Sequence, residues 1–385
     1  AAVEFNQTFT GTYAGDMSGS GSLTKTSSGT VTLTGSNSYQ GGTFVNAGAL
    51  IGDTESLQGS VAVSSGTLGF DQATSGTFSG ALLGTSINSR FVKTGVGDLT
   101  LSATNTNDGA WTVSGGRLIG TTSSLQGAIT NNAAVTFDQA TSGTYAGTMS
   151  GSGSLTKAGA GAVTLSGTSS HSGATTVSAG SLLVNGTLAN SAVTVGNGAL
   201  LGGGGTIGSL VTALSGGTIS PGNSPGLLTV GSLDLQAGST TLMEIIGSGS
   251  GAGTAGIDYD KLVVTASGGL NYGGVLNINF GNLSDFASGT TFDLFGLNGT
   301  PTSSFASILA TGSGSYASAS FTFDGVDVWT SQTLANSQIL TFTESTGALA
   351  ITAVPEPSTW ALAVIGAGAA GWMARRRRPG RGKAK

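Results

Sequence analysis

The sequence predicts an all-β protein: a right-handed parallel β-helix (solenoid) with a C-terminal β-rich cap and a single short C-terminal transmembrane helix. Three observations carry this. Blocks of sequence recur at long, nearly regular intervals. Within them, short runs alternate apolar and hydroxylated residues between glycine-rich corners. The segment from Val354 to Lys385 joins an uncharged run to a block of arginines. The expected organisation is a repeat β-helix over residues 1–250, a β-rich segment over 251–353 that continues or caps it, and a terminal anchor over 354–385. The first boundary falls in the linker-like GSGSGAGTAG from Gly247.

The repeats come in ordered blocks. FNQTFTGTYAG from Phe5 aligns with FDQATSGTFSG from Phe70 and FDQATSGTYAG from Phe137. Lys25, Lys93 and Lys157 follow at equivalent places. Next come GTVTLTG from Gly29, GDLTLSA from Gly97 and GAVTLSG from Gly161, then GGTFVNAGALIG from Gly41, GAWTVSGGRLIG from Gly109 and GATTVSAGSLLV from Gly173. SLQG recurs at Ser56 and Ser124. In an extended GTVTLTG, Val31 and Leu33 point to one side and Thr32 and Thr34 to the other. One such unit cannot bury its apolar side alone, so units must stack. Stacked strands lie about 4.8 Å apart. At about 20 residues per coil, residues 1–350 would make a rod on the order of 80 Å long.

These blocks resemble the autotransporter-associated β-strand repeat. GSGSLTKTSSGTVTLTGSNSYQGGTFVNAGAL from Gly19 and GSGSLTKAGAGAVTLSGTSSHSGATTVSAGSL from Gly151 follow its pattern closely, while the middle copy departs from it, with Asn107 in the place of Tyr39. GGTISPGNSPGLLTVGSLDLQ from Gly216 is similar to a stretch near the end of such passenger regions. The resemblance implies a β-helix and surface export, but no reaction. An autotransporter ends in a membrane barrel of many strands, each of about 10 residues. Ala252 to Ala353 is too short for a typical one. Its alternating runs, DKLVVTA from Asp260, GVLNINF from Gly274, TTFDLFG from Thr290 and ALAITAV from Ala348, read instead as a cap or continuation. Phe292, Phe295, Phe305, Phe321, Phe323 and Trp329 make it more aromatic than the repeats.

The tail reads VPEPSTWALAVIGAGAAGWMARRRRPGRGKAK from Val354. A rigid Pro355-Glu356-Pro357 precedes an uncharged run from Ser358 to Ala374, at the lower limit of about 17 residues for a spanning helix. Trp360 and Trp372 sit near its ends, where amphipathic rings favour the membrane interface. Arg375, Arg376, Arg377 and Arg378 would stop it on the cytoplasmic side. This order resembles the PEP-CTERM sorting signal of Gram-negative bacteria. The resemblance implies that an exosortase-type enzyme reads Val354, Pro355, Glu356 and Pro357 while the chain is held transiently in the inner membrane. The product would reach the cell surface or extracellular matrix. Such a tail needs an export signal upstream, so one is expected to have been removed before Ala1.

Composition narrows the function classes. Only 8% of residues are charged and 68 are glycine, yet Val, Leu and Ile recur regularly, unlike a disordered chain. The absence of cysteine excludes disulfides and thiolate metal sites. Seven of the thirteen Lys and Arg follow Ala374, leaving the body six basic and eighteen acidic residues, a net charge of −12. That disfavours nucleic acid as a partner, because phosphate contacts need clustered cations.

Candidate chemistry is sparse. His171 is the single histidine and aligns with Tyr39 and Asn107, which reads as a variable surface or corner position. Asp258 with Asp260, and Asp324 with Asp327, are close enough in sequence to hold Ca²⁺ or act as acid and base. Asp71 with Gln72 and Asp138 with Gln139 recur, as turn residues do, with Asn6 in the first copy. Arg90 and Arg117 are too scattered to define a lyase base, and the repeat lysines read as a solvated column. No catalytic residue, cofactor or metal is expected. The leading function is an exported, non-enzymatic surface or matrix protein, an adhesin or an exopolysaccharide (biofilm) scaffold contacting surface glycans. The alternatives are a polysaccharide-active β-helix enzyme, or an autotransporter passenger-like adhesin without its barrel.

Overall fold

The computed structural model describes residues 1–354 apart from 85, 248–252, 282–283 and 318. The short alternating runs form strands, and glycine corners turn the chain between them. Each coil places strands on three ladders in turn. In one coil these are Met149–Ser150, Ser154–Ala158 and Ala162–Leu165. In the next they are Thr168–Ser169, Thr175–Val177 and Ser181–Val184, each parallel to the strand before it. The result is an all-β parallel solenoid of about 12 turns. No helix among the described residues is long and apolar enough to cross a membrane. The expected terminal helix, with Trp360, Trp372 and the four arginines, lies outside the described residues.

The alternation sets what is inside. Val31 and Leu33 are 1% and 2% exposed, and Val163 and Leu165 occupy the same inward positions. Coil length is nearly constant through the repeats, as in Val3 facing Leu23 and Leu23 facing Thr43. It then grows: Leu228 faces Leu262 and Leu262 faces Phe295. Parallel coiling ends with Val275–Phe280 against Ser307–Gly312. The chain then changes mode. Phe321–Phe323, Val328–Ser331, Gln338–Thr343, Ala348–Ala353 and Thr291–Asp293 form one antiparallel sheet. Phe342 from this sheet packs against Phe295 and Phe305 of the last coils, with ring centroids 6.1 and 6.2 Å apart. Because the later coils are longer and coiling stops there, the rod is shorter than sequence spacing predicts, on the order of 60 Å.

The repeat and the coil do not share a period. Lys25 lies on the ladder of Val3–Phe5 and Thr43–Val45. Lys93 lies on that of Thr67–Asp71 and Ala110–Val113. Lys157 lies on a third, between Ala134–Asp138 and Thr175–Val177. The interval from one repeat lysine to the next thus spans three coils plus about a third of another. Each copy is rotated by one face relative to the copy before.

The lysines correct the expectation of a solvated column, in direction as well as in place. All three are fully buried. Lys157 Nζ donates to the carbonyls of Ala158, Gly159 and Ala179 at 2.7, 2.8 and 3.0 Å. Lys93 Nζ reaches Thr94, Gly95 and Gly115 at 2.5, 3.0 and 3.1 Å, and Lys25 Nζ donates to Ser27 O. Gly95 and Gly159 adopt φ of 74° and 72°, which turns the corner and leaves their carbonyls on the ammonium. In the next coil, a Cβ on Gly116 would stand 3.0 Å from Lys93 Nζ. The glycine is therefore part of the lysine's seat. Burial lowers the pKa of each lysine, while the carbonyls supply the contacts that water would otherwise make.

Lys157→Met leaves three corner carbonyls without a donor. We expect it to lower the unfolding free energy by about 2–3 kcal/mol, read as a fall in the urea midpoint. Arg117→Ala is the control. Its pair with Asp98 is 2.8 Å long and half exposed, so its removal should move the midpoint by less than about 1 kcal/mol. Equal effects from the two variants would contradict the structural role of the lysine.

Candidate functional site

The sequence-derived acids are distributed among separate structural tasks. Asp260 is fully buried. Its Oδ1 accepts Gly226 N–H at 2.7 Å and its Oδ2 accepts Glu244 N–H at 2.8 Å. It thus ties the SPG corner to a neighbouring coil. Burial, only partly offset by these two bonds, pushes its pKa up to about 7. Asp258 instead closes its own loop, accepting Thr254 N–H at 2.6 Å. The two side chains bond different segments and do not form an acid–base pair.

Asp324 and Asp327 build a hairpin and its junction. Asp324 Oδ1 accepts N–H from Val326, Asp327 and Val328 at 2.8, 2.9 and 3.1 Å. Those bonds, from Val328 first, hold its carboxyl below the usual carboxylate range. Asp327 accepts Ser345 N–H at 2.7 Å and the Ser345 hydroxyl at 2.6 Å. Among the described residues, no three His, Asp or Glu side chains gather as metal ligands.

The Asp-Gln pairs serve the turns, as their recurrence predicts, but the glutamine makes the inward contacts. Gln139 is 5% exposed; it accepts Thr122 N–H at 2.8 Å and donates to Thr141 O and Ala162 O at 2.8 and 2.9 Å. Gln72 makes the equivalent bond from Thr54 N–H at 2.8 Å. Asp71 is exposed and accepts the Thr94 hydroxyl at 3.0 Å.

His171 is fully buried and not at the surface, in the connection between Thr168–Ser169 and Thr175–Val177, and burial lowers its pKa. Its Nε2 lies 3.2 Å from Thr175 Oγ1, and its Nδ1 has no partner. Tyr39 bonds Thr43 across the same four-residue offset at 2.7 Å. In the middle copy the equivalent pair is Asn107 and Trp111, both buried. Small replaces large at one position and large replaces small at the other, so the interior volume is kept. This compensation explains the degenerate copy as packing.

Sequence reasoning missed a set of internal asparagines. Asn37 accepts Met17 N–H at 2.7 Å from the coil before and donates to Ser56 O at 2.7 Å in the coil after. Asn105 does the same between Leu82 N–H and Ser124 O, at 2.8 and 2.6 Å. The recurring Asn two positions before Tyr39 and Asn107 was the available signal.

One polar recess, of about 190 Å³, lies between the last coils and the antiparallel sheet. Thr300 to Ser304 line one side, and Val326, Asp327, Glu344 and Ser345 the other. Glu344 is 4% exposed; its Oε1 accepts Phe305 N–H and Trp329 Nε1–H, each at 2.9 Å.

Comparison with known proteins defines the class. The passenger-associated-transport repeat matches residues 23–51, 91–119 and 155–184, each match beginning on a lysine-bearing strand. The PEP-CTERM protein-sorting motif matches residues 353–378. The chain therefore carries passenger-type repeats on a parallel β-solenoid and a sorting motif behind its cap. It is an exported surface protein. It is similar to the adhesin BmaC autotransporter of Brucella suis biovar 1 (strain 1330), 34% identical over 202 residues. The match covers 43% of this chain and 6% of that protein's length.

Asp260 gives a pH test with a definite sign. A carboxyl of raised folded pKa favours the folded state most below its unfolded pKa, near 4, and loses that contribution as pH rises towards about 7. Wild-type stability relative to Asp260→Asn should therefore fall between those values, by at most about 1.4 kcal/mol per pH unit. Urea titrations across the range check this; a difference that is flat or rises with pH contradicts it.

Proposed function

We propose that this chain is a non-enzymatic rod that an exosortase-type enzyme delivers to the cell surface, where it contacts exopolysaccharide or other surface glycans as an adhesin or matrix scaffold. The observation that carries the reading is the joining of a PEP-CTERM motif at residues 353–378 to passenger-type repeats. Val354 marks the join: its N–H donates to Ser337 O at 2.8 Å, directly after the last cap strand. Val354, Pro355, Glu356 and Pro357 are the recognition segment. The run bounded by Trp360 and Trp372 is the transient inner-membrane anchor, and Arg375, Arg376, Arg377 and Arg378 are its stop.

The body supports a role in contact more than in catalysis. Asp260 is sealed against backbone N–H groups, and the other candidate acids hold turns. The relative in Brucella suis is named an adhesin. Outward hydroxyls stack in register from Thr156 through Thr176 and Thr194 to Thr212. Rows of weak polar contacts gain strength when several engage one polymer. Rotation of the copies turns equivalent repeat surfaces towards all three faces. A rod of that kind can bridge polymers on different sides, as a scaffold requires.

Mass spectrometry of the C-terminus of surface-located protein tests the sorting step. A product ending within or before the motif is expected, and deletion of residues 354–385 should leave the protein in the periplasm. Surface protein that retains Lys385, or that reaches the surface without the tail, would overturn the proposal.

A further inference from the structure

The recess at the junction of coils and cap sets two carboxylates, Asp327 and Glu344, opposite a row of hydroxyls. Glu344 is its distinctive member. One oxygen holds Phe305 N–H and Trp329 Nε1–H. The other, Oε2, has no hydrogen-bonding partner among the described residues and is not sealed in the interior, on a residue only 4% exposed. That oxygen faces the recess with its acceptor capacity unused by the protein. The neighbouring hydroxyl protons are committed elsewhere. Thr302 donates to Leu270 O at 3.3 Å, and Ser303 donates to Tyr272 O. Both hydroxyls can only offer lone pairs to a guest. Asp327 adds a second carboxylate, already fixed by Ser345.

The carboxylate side therefore calls for hydrogen-bond donors, while the hydroxyls of Thr300 and Ser304, which also line the recess, can donate or accept. A cation or a polyhydroxylated neutral molecule meets that condition. Calcium requires about six to eight oxygen ligands, and no group of three acidic or histidine side chains converges among the described residues. A uronic acid would bring a third negative charge. The volume, about 190 Å³, holds roughly six waters at ~30 Å³ each, and lies below the ~300 Å³ at which drug-sized sites begin. That suits one sugar ring.

The geometry points to a binding site for a single neutral pyranose unit of a surface polysaccharide, with Glu344 Oε2 and Asp327 accepting adjacent ring hydroxyls. It rests on the glycan-contact reading above and gives that reading a discrete site. The site lies where the cap meets the last coils, so it exists once per rod and is independent of the repeats.

The test uses the full chain and saturation-transfer NMR with the methyl glycosides of glucose, galactose, mannose and N-acetylglucosamine, with methyl glucuronide and CaCl₂ as contrasts. At least one neutral glycoside should bind and quench the indole of Trp329, while methyl glucuronide gives no signal. Glu344→Gln should weaken binding at least tenfold. Because Glu344 also supports Phe305 and Trp329, a second variant, Thr300→Trp, fills the mouth from the exposed rim and should abolish binding in a folded protein. No bound neutral glycoside, or binding unchanged in both variants, overturns the site. Calcium binding that Glu344→Gln removes, without any glycoside signal, also overturns it, in favour of a cation site. Retention of polysaccharide from the producing cells is measured in parallel. If wild type and Thr300→Trp retain it equally and no glycoside binds, the recess fails and the scaffold reading stands. If wild type retains none, the scaffold reading fails as well.

Discussion

Everything in this rod depends on each coil returning to the register of the coil beneath it. Parallel strands one above another share a fixed spacing of about 4.8 Å, so a corner that overshoots by one residue would turn the next strand inside out. The interior is narrow, and polar groups left there must find partners there. Lys93 and Lys157 hold corner carbonyls from within. Asn37 and Asn105 each span three coils. Gln72 and Gln139 tie a corner to the coil before it. These pins let a core built on short aliphatic side chains keep its register without disulfides.

A mismatch of periods then shapes the outside. A repeat of three and a third coils places equivalent side chains on successive faces, and the three lysines sit on three ladders. Every copy therefore meets a different set of neighbours. Compensating exchanges follow, such as Tyr39 with Thr43, Asn107 with Trp111 and His171 with Thr175.

The far end is built differently because a solenoid has an open edge that must be closed. Longer coils and an antiparallel sheet supply aromatic bulk there, with Phe295, Phe305 and Phe342 in mutual contact. The junction of two strand modes does not mesh completely, and the polar recess lies in that seam. The sorting motif follows the last strand of this sheet directly in sequence.

The alternation of Val31 and Leu33 with threonine, the glycine corners and the order of the tail were legible in the chain, because each depends only on neighbours in sequence. They determined the all-β solenoid, its repeats and its export label. The fate of the lysines was not legible. A Lys within an LTK or FVK strand reads as solvated until the next coil places Gly115 or Ala179 over its ammonium. Nor could spacing reveal that Asp258 and Asp260, so close in sequence, bond different segments. Local pattern determined which residues face inward. Only the stacking of coils, which joins groups a full turn of the solenoid apart, decided which of them are paired, buried or left open to a ligand.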